Sequence, residues 1–270
     1  VTALLGWLAV LVACASTPHA DRIPARNSLR VVTYNIFGGH DLQRLSNLTR
    51  IAALIDSLRA DFVLLQEVDR LTARSGHVDQ ASVLAERVGM HAVFGRAMDY
   101  DGGEYGIAVL SRWPLRSWRV VPLAASPATD STTSVAEPRA LLHVVTEAPG
   151  GVVHVLNTHL DHQARAGARH AQLFRALAYM AEAIPRGSTV VFGGDLNAQP
   201  DASEVRALGM VFDDAWSKCG AGAGHTFRSD NPTRRIDHIL LIGAVCTHAQ
   251  VIATTISDHR PLIVDLTVSR

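Results

Sequence analysis

Six apolar runs in this 270-residue chain carry an amide, carboxylate or imidazole at one end, and the candidate chemistry gathers there. Asn35 follows Val31-Val32-Thr33-Tyr34, and Glu67 follows Phe62-Val63-Leu64-Leu65-Gln66. Asn157 and His159 close a run that starts at Val152, and Asp195 and Asn197 follow Val190-Val191-Phe192-Gly193-Gly194. Asp237-His238 opens Ile239-Leu240-Leu241-Ile242, and Asp258-His259 precedes Pro261-Leu262-Ile263-Val264. A carboxylate set straight after a buried strand is costly to leave unpaired, so each implies a cation or a set of hydrogen bonds waiting for it. A shared rim of oxygen ligands around a cleft suits a hard divalent cation, Mg²⁺ or Mn²⁺ in its place, better than a thiolate-preferring metal.

Plainer readings stand beside these. Asn35 and Asn157 also fit as turn formers that end strands, and Asp195-Leu196-Asn197 as an Asx turn after two glycines. His238 reads as an ordinary exposed residue. His159-Asp161-His162 lacks the ligand spacing of a zinc site. The Gly-rich stretch from Tyr100 to Tyr105 follows no phosphate-loop pattern and reads as a turn. The chain has no Gly-x-Ser-x-Gly elbow and no nucleotide P-loop, which removes two other hydrolase classes.

The elements that must position these residues follow from periodicity. Strands are expected over 29–37, 62–66, 91–96, 107–111, 139–145, 152–158, 189–193, 236–242, 246–252 and 262–268. Leu48, Ile51, Ala52, Ile55 and Leu58 recur at helical spacing, as do Leu173, Leu177, Met180 and Ala181. Consecutive strands between 91 and 158 have only turns between them, so the sheets must be mixed or antiparallel. With 48% hydrophobic and 19% charged residues the chain can build a sizeable core, and disordered and collagen-like classes are excluded. Residues 29–270 read as one α/β domain, expected to be a monomer, and 124–138 as its longest interior loop.

Lys+Arg 25 balances Asp+Glu 25, so the overall basic bias that drives sequence-independent nucleic-acid binding is missing. A nucleic-acid partner is therefore not favoured, although Arg96, Arg112, Arg116 and Arg119 could form a local patch. Lys218 is the lone lysine. Residues 1–13 are uncharged and apolar but too short to span a bilayer, and they read as the core of a signal peptide. Leu11-Val12-Ala13-Cys14 resembles a bacterial lipoprotein box, with Cys14 lipidated and 14–28 as a flexible tether to the membrane. The chain is then expected to be exported and membrane-anchored, in the periplasm or at the cell surface. Cys219 and Cys246 are left either as a disulfide or as two buried thiols.

Seven motifs, taken in order, resemble those of the endonuclease/exonuclease/phosphatase superfamily. They are Thr33-Tyr34-Asn35-Ile36, Leu65-Gln66-Glu67-Val68, Glu137-Pro138-Arg139-Ala140, Asn157-Thr158-His159-Leu160, Gly194-Asp195-Leu196-Asn197-Ala198, Arg235-Ile236-Asp237-His238 and Ser257-Asp258-His259-Arg260-Pro261. The resemblance implies a four-layer α/β sandwich, two mixed sheets face to face with helices outside, and metal-assisted hydrolysis of a phosphate ester. It puts Glu67 on the metal with Asn35 and Asp258 close by, and gives Asp195 and Asn197 the attacking water. His259, held by Asp237, is implied as general base or as a protonated clamp, and the choice between it and Asp195 stays open. His159 is implied as a second phosphate contact, with Asn157 in the same motif, and Arg139 and Tyr105 are further candidates. A phospholipid head group or another small phosphoester is the expected substrate, and an extracellular nuclease is the alternative. Loss of a metal or water-positioning residue would mark a non-catalytic binding protein that keeps the fold, and none of the main positions is missing.

Overall fold

The computed structural model describes residues 27–123, 137–163 and 166–269. The leader, Cys14 and most of the tether lie outside these residues, as does most of the 124–138 loop. In chain order the first half holds β1 (Ser28–Asn35), α1 (Leu48–Leu58), β2 (Phe62–Arg70), α2 (Gln80–Val88), β3 (His91–Tyr100) and β4 (Gly103–Ser111). The second holds β5 (Leu115–Leu123), β6 (Arg139–Ala148), β7 (Gly151–His159), α3 (Ala166–Ala183), β8 (Thr189–Asp195), α4 (Ser203–Leu208), β9 (Asp213–Asp214) and α5 (Ala215–Cys219). The chain ends with β10 (Asp237–Ile242), β11 (Ala244–Val251) and β12 (Leu262–Val268).

Two six-stranded mixed sheets result, ordered β11-β12-β1-β2-β4-β3 and β5-β6-β7-β8-β10-β9. Strand alternation explains the layers. On β1, Leu29 and Val31 face the core between the sheets, while Val32 and Tyr34 face the layer of α1 and α2. On β8, Val191 joins the central core, while Val190 and Phe192 pack under α3 and α4. Strands buried on both faces read as unbroken apolar runs, which is why their periodicity is visible mainly as length. The architecture is the expected four-layer sandwich of the DNase I-like kind.

Each sheet contains one parallel pair, β1 with β2 and β7 with β8, joined through α1 and α3. In a parallel pair both carboxyl ends point the same way, so Asn35, Glu67, His159 and Asp195 arrive at one edge of the sandwich. The start of β10 lies antiparallel to β8 with Asp237 opposite Asp195, and β12 lies antiparallel to β1, which brings 257–259 to the same edge.

Four expectations are corrected. β1 stops at Asn35 instead of 37, because Phe37, Gly38 and Gly39 take positive φ and form a one-turn 3₁₀ segment. β5 was not anticipated: Arg116, Ser117 and Arg119 interrupt its apolar pattern, as suits an edge strand with Pro122 in it. α2 was also missed, since it is short and is defined by its ends, with Asp79 accepting from Ser82 N and Gly89 in the left-handed region. His238 is fully buried, with Nε2 2.9 Å from the Ala198 carbonyl oxygen. Cys219 and Cys246 resolve their alternatives by pairing as a disulfide between α5 and β11.

Away from the polar edge, His143 and His154 stack on neighbouring strands, with His143 Nε2 3.0 Å from His154 Nδ1 and His143 Nδ1 2.8 Å from the Tyr179 hydroxyl. Burial pulls His143 down to about 4, helped by His154 and Arg119, and lowers His154 as well. Both bind protons more readily when unfolded, so their contribution is complete above the ordinary imidazole value and is lost as pH falls from about 6.5 toward 4. After allowance for screening it amounts to about 1–2 kcal/mol. Denaturant melts at pH 7.5 and 5.0 should show a smaller acid loss in the His143→Gln/His154→Gln double variant than in the parent. An identical loss would exclude the pair as its source.

Candidate active site

Glu67 owes its position to an irregularity in β2. Gln66 lies opposite Ile107 and Val68 opposite Gly106, so Glu67 is the extra residue of a β-bulge, with φ at 56°. A non-glycine residue in that region is strained, and the bulge turns its carboxylate out of the ladder. Asn197, with φ at 50°, is a second such position. Gly194 must be glycine, since its φ is 135° and a methyl there would overlap the Thr158 carbonyl oxygen.

Asn35 joins two groups of acids. Its Nδ2 donates to Glu67 Oε1 at 3.0 Å and to Asp195 Oδ2 at 3.1 Å, while its Oδ1 accepts from Phe37 N at 3.0 Å. Asp258 is fixed through its backbone and its neighbour. Ser257 Oγ donates to the Asn35 carbonyl oxygen at 2.7 Å, Ser229 Oγ to the Ser257 carbonyl oxygen at 2.6 Å, and Ser229 N to the Asp258 carbonyl oxygen at 2.8 Å. Asp258 stands close enough to Glu67 to disfavour its ionisation. Burial raises the pKa of Glu67, and Asp258 adds to that rise. Burial likewise raises Asp258, with Asp237 contributing.

Across Asn35, the imidazole of His259 lies between two carboxylates, with Nδ1 2.8 Å from Asp237 Oδ2 and Nε2 3.5 Å from Asp195 Oδ2. Phe227 backs the ring at a centroid distance of 4.8 Å. Burial pulls His259 down, but Asp237 and Asp195 together outweigh it and carry the group up to about 10. Asp195 is buried and pushed up to about 7 by desolvation, with His259 opposing the rise. One ligand atom each from Asp195, Asp237 and His259 falls within 4.8 Å of the others, a grouping able to hold a divalent cation.

His159 completes the basin, with Nε2 3.0 Å from Asn197 Nδ2 and 3.5 Å from Asp195 Oδ2. Arg139 donates from Nη1 to His159 Nδ1 at 2.9 Å. Burial and that guanidinium hold His159 well below the ordinary imidazole value. Arg139 Nε is buried with no partner among the described residues, and its Nη2 reaches Glu137 Oε2 at 3.3 Å. Tyr105 is buried on β4 opposite Asp69, and desolvation followed by Glu67 raises its hydroxyl well above the usual value.

Two sequence readings change. Asn157 uses its amide entirely as a tie between the sheets: Nδ2 donates to the Leu65 and Ala108 carbonyl oxygens at 2.8 Å each, and Oδ1 accepts from Gln66 Nε2 at 2.7 Å. It therefore supports the site from within the core. Asp195-Leu196-Asn197 is an Asx turn, with Asn197 N donating to Asp195 Oδ1 at 2.9 Å, yet Asp195 also faces both histidines. Turn and site are one arrangement. Sequence reasoning gave no role to Ser229 or Thr226, whose hydrogen bonds fix 257–258 and 236–237. Nothing marks such loop residues before the chain is folded.

Residues 32–259 match the Endonuclease/Exonuclease/phosphatase family. The chain belongs to that family. It is similar to the uncharacterized protein YbhP of Escherichia coli strain K12, at 27% identity over 256 residues, 88% of this chain and 96% of that one. Among solved structures, an endonuclease/exonuclease/phosphatase from Beutenbergia cavernae superposes with TM-score 0.75 at 24% identity, over 90% of this chain and 72% of that one. A Bacteroides thetaiotaomicron mannosyl-6-phosphatase superposes with TM-score 0.73 at 21% identity, over 88% and 99%. The clustered carboxylates and imidazole on this family's fold make the chain a metal-dependent phosphoesterase.

Proposed function

We propose that this family member is an exported phosphodiesterase-type hydrolase that uses Mg²⁺ to cleave a phospholipid head group or another small phosphoester. The observation that carries the reading is the double hydrogen bond of Asn35, which joins the Glu67 side of the basin to Asp195 and thus to His259 and Asp237. Glu67 and Asp258 would hold the cation with Asn35 beside them. Their carboxylates offer a hard, oxygen-only set suited to Mg²⁺, next to the Asp195, Asp237 and His259 grouping. When bound, the cation supplies charge neutralisation at a phosphoryl oxygen and at the leaving oxygen.

The chain's own groups account for the rest. Asp195, oriented by Asn197 N and Asn35, is placed to take the proton of the attacking water, with Asn197 positioning that water. His259 as imidazolium, aligned by Asp237, donates to a phosphoryl oxygen. Arg139 and neutral His159 supply further donors, and Tyr105 closes the wall beside Glu67. The Cys219–Cys246 disulfide supports an oxidising compartment, which suits export and a lipidated Cys14. The likeness to a mannosyl-6-phosphatase supports small phosphorylated substrates, and the balanced charge supports a substrate other than long duplex DNA.

Turnover of bis-p-nitrophenyl phosphate, a phosphomonoester, sphingomyelin and plasmid DNA, each with and without Mg²⁺, tests the proposal. Diester hydrolysis should fall at least about 100-fold when EDTA strips the metal, and Mg²⁺ should restore it. Metal-independent turnover, or cleavage of plasmid alone, would overturn the reading.

A further inference from the structure

Beyond Glu67 the polar edge continues into a ledge that hydrolysis itself does not use. Two residues after Glu67, Asp69 is completely buried and grips Arg74 with both oxygens, Nε to Oδ2 at 2.7 Å and Nη2 to Oδ1 at 2.8 Å. The guanidinium lies over the Tyr100 ring at 4.5 Å and near the Tyr105 ring at 5.7 Å. Arg74 N donates to Asp101 Oδ2 at 2.6 Å, clipping the 72–76 segment to the β3–β4 turn. On the opposite side Gly38 lies so close that a methyl there would come within 3.1 Å of Arg74 Nη2. Gln80 Nε2 holds this glycine by its carbonyl oxygen at 2.7 Å while Gln80 Oε1 accepts from Asp69 N at 2.9 Å.

The ledge is thus rigid, yet it is open to a ligand. Arg74 keeps 30% of its side chain accessible and Tyr100 is 39% exposed. Among the described residues the Nη1 group of Arg74 has only a long contact, 3.4 Å, with the Tyr100 hydroxyl. Tyr105 links the ledge to the basin, since its hydroxyl feels the charges of Glu67, Arg139 and Arg74 together. A partner bound through its phosphate at Glu67 would lay its non-reacting part here.

The chemistry of the ledge selects that part. Its cation is cancelled by a buried carboxylate, so a second phosphate finds no uncompensated charge to neutralise. A quaternary ammonium needs a cage of several aromatic faces, and with the Arg74 guanidinium on one side of Tyr100 a single face is left. What remains is a planar set of N–H donors beside an exposed phenol ring, suited to a neutral ring bearing adjacent hydroxyls that stacks one face on Tyr100. Resting on the phosphoesterase reading above, we propose that Arg74, positioned by Asp69, and Tyr100 form the specificity subsite for a hydroxylated ring, a hexose or cyclitol, carried by the scissile phosphate.

Two diesters that differ only in head group test it: glycerophosphoinositol and glycerophosphocholine. The parent should favour the inositol ester by at least about tenfold in kcat/KM, and Arg74→Lys and Tyr100→Ala should each reduce that ratio about tenfold. Lysine at 74 keeps a charge for buried Asp69, and circular dichroism of both variants checks the fold. Calorimetric affinities for the two esters in Ca²⁺ give the same ratio without turnover. Failure to cleave any ester would therefore count against the phosphoesterase reading alone. An inositol preference absent from the parent, or unchanged in both variants, would overturn the subsite. A stronger Tyr100-dependent preference for a dinucleotide would overturn its assignment to hydroxylated rings in favour of a stacked base.

Discussion

His259→Ala should lower kcat on bis-p-nitrophenyl phosphate by about 10³- to 10⁴-fold, the range expected when a positioned proton donor and charge stabiliser is removed. The effect is large because no other group can replace it. Among the histidines of the basin, His159 is held neutral by burial and by Arg139, and its Nδ1 is already an acceptor. The loss should fall on kcat more than on KM, since an imidazolium that strengthens its hydrogen bond as charge grows on the phosphoryl oxygens acts mainly in the transition state. Asp237→Asn should share the same direction with a smaller loss, because it leaves the ring in place and weakens only its orientation and charge. Stopped assays with purified, folded variants check both. Full activity in His259→Ala would contradict the assigned chemistry.

Glu67→Gln is the second large effect, and its signature is metal dependence. The substitution keeps the size of the side chain and removes one negative charge from the pair that Asp258 completes. We expect kcat/KM to fall about 10²- to 10³-fold and the Mg²⁺ concentration for half-maximal rate to rise at least tenfold. Stability provides an independent readout. Saturating Mg²⁺ at about 100 times its dissociation constant stabilises the parent by about 2.7 kcal/mol, a rise in Tm of roughly 5–10 °C for a domain of this size. Glu67→Gln should lose most of that rise. Without metal it should be as stable as the parent or more so, because burial and the nearby Asp258 both oppose the Glu67 charge. Equal Mg²⁺-induced shifts in parent and variant would remove Glu67 from the metal site.

Much of this was legible in the sequence because polar residues following long buried strands cannot be accidental in number. Asn35, Glu67, Asp195, Asp237 and His259 could each be picked out from an apolar neighbour run, and the fold class followed from strands separated by turns as well as by helices. The sequence pattern could not distinguish an amide that faces the cleft from one that ties the sheets. Asn35 and Asn157 both end strands, yet the first bridges two carboxylates and the second spends its amide on Leu65, Ala108 and Gln66. The bulge at Glu67 was equally hidden, because a single extra residue leaves the run Val63-Leu64-Leu65-Gln66 looking regular. His238 reads as exposed beside Asp237, but β10 is covered on both faces and its ring finds a backbone acceptor inside. Pairings such as Asp69 with Arg74 depend on how a loop folds back over the strand that precedes it, which periodicity does not encode.

Glu67, tied by Asn35 to Asp195, and Asp258 are the proposed ligands of the catalytic cation. Anomalous diffraction from crystals grown with Mn²⁺ tests that assignment directly. A peak is expected within about 2.0–2.4 Å of a carboxylate oxygen of Glu67 and within the same coordination sphere as Asp258. A peak centred on Asp237 and His259, with Glu67 left unliganded, would contradict it.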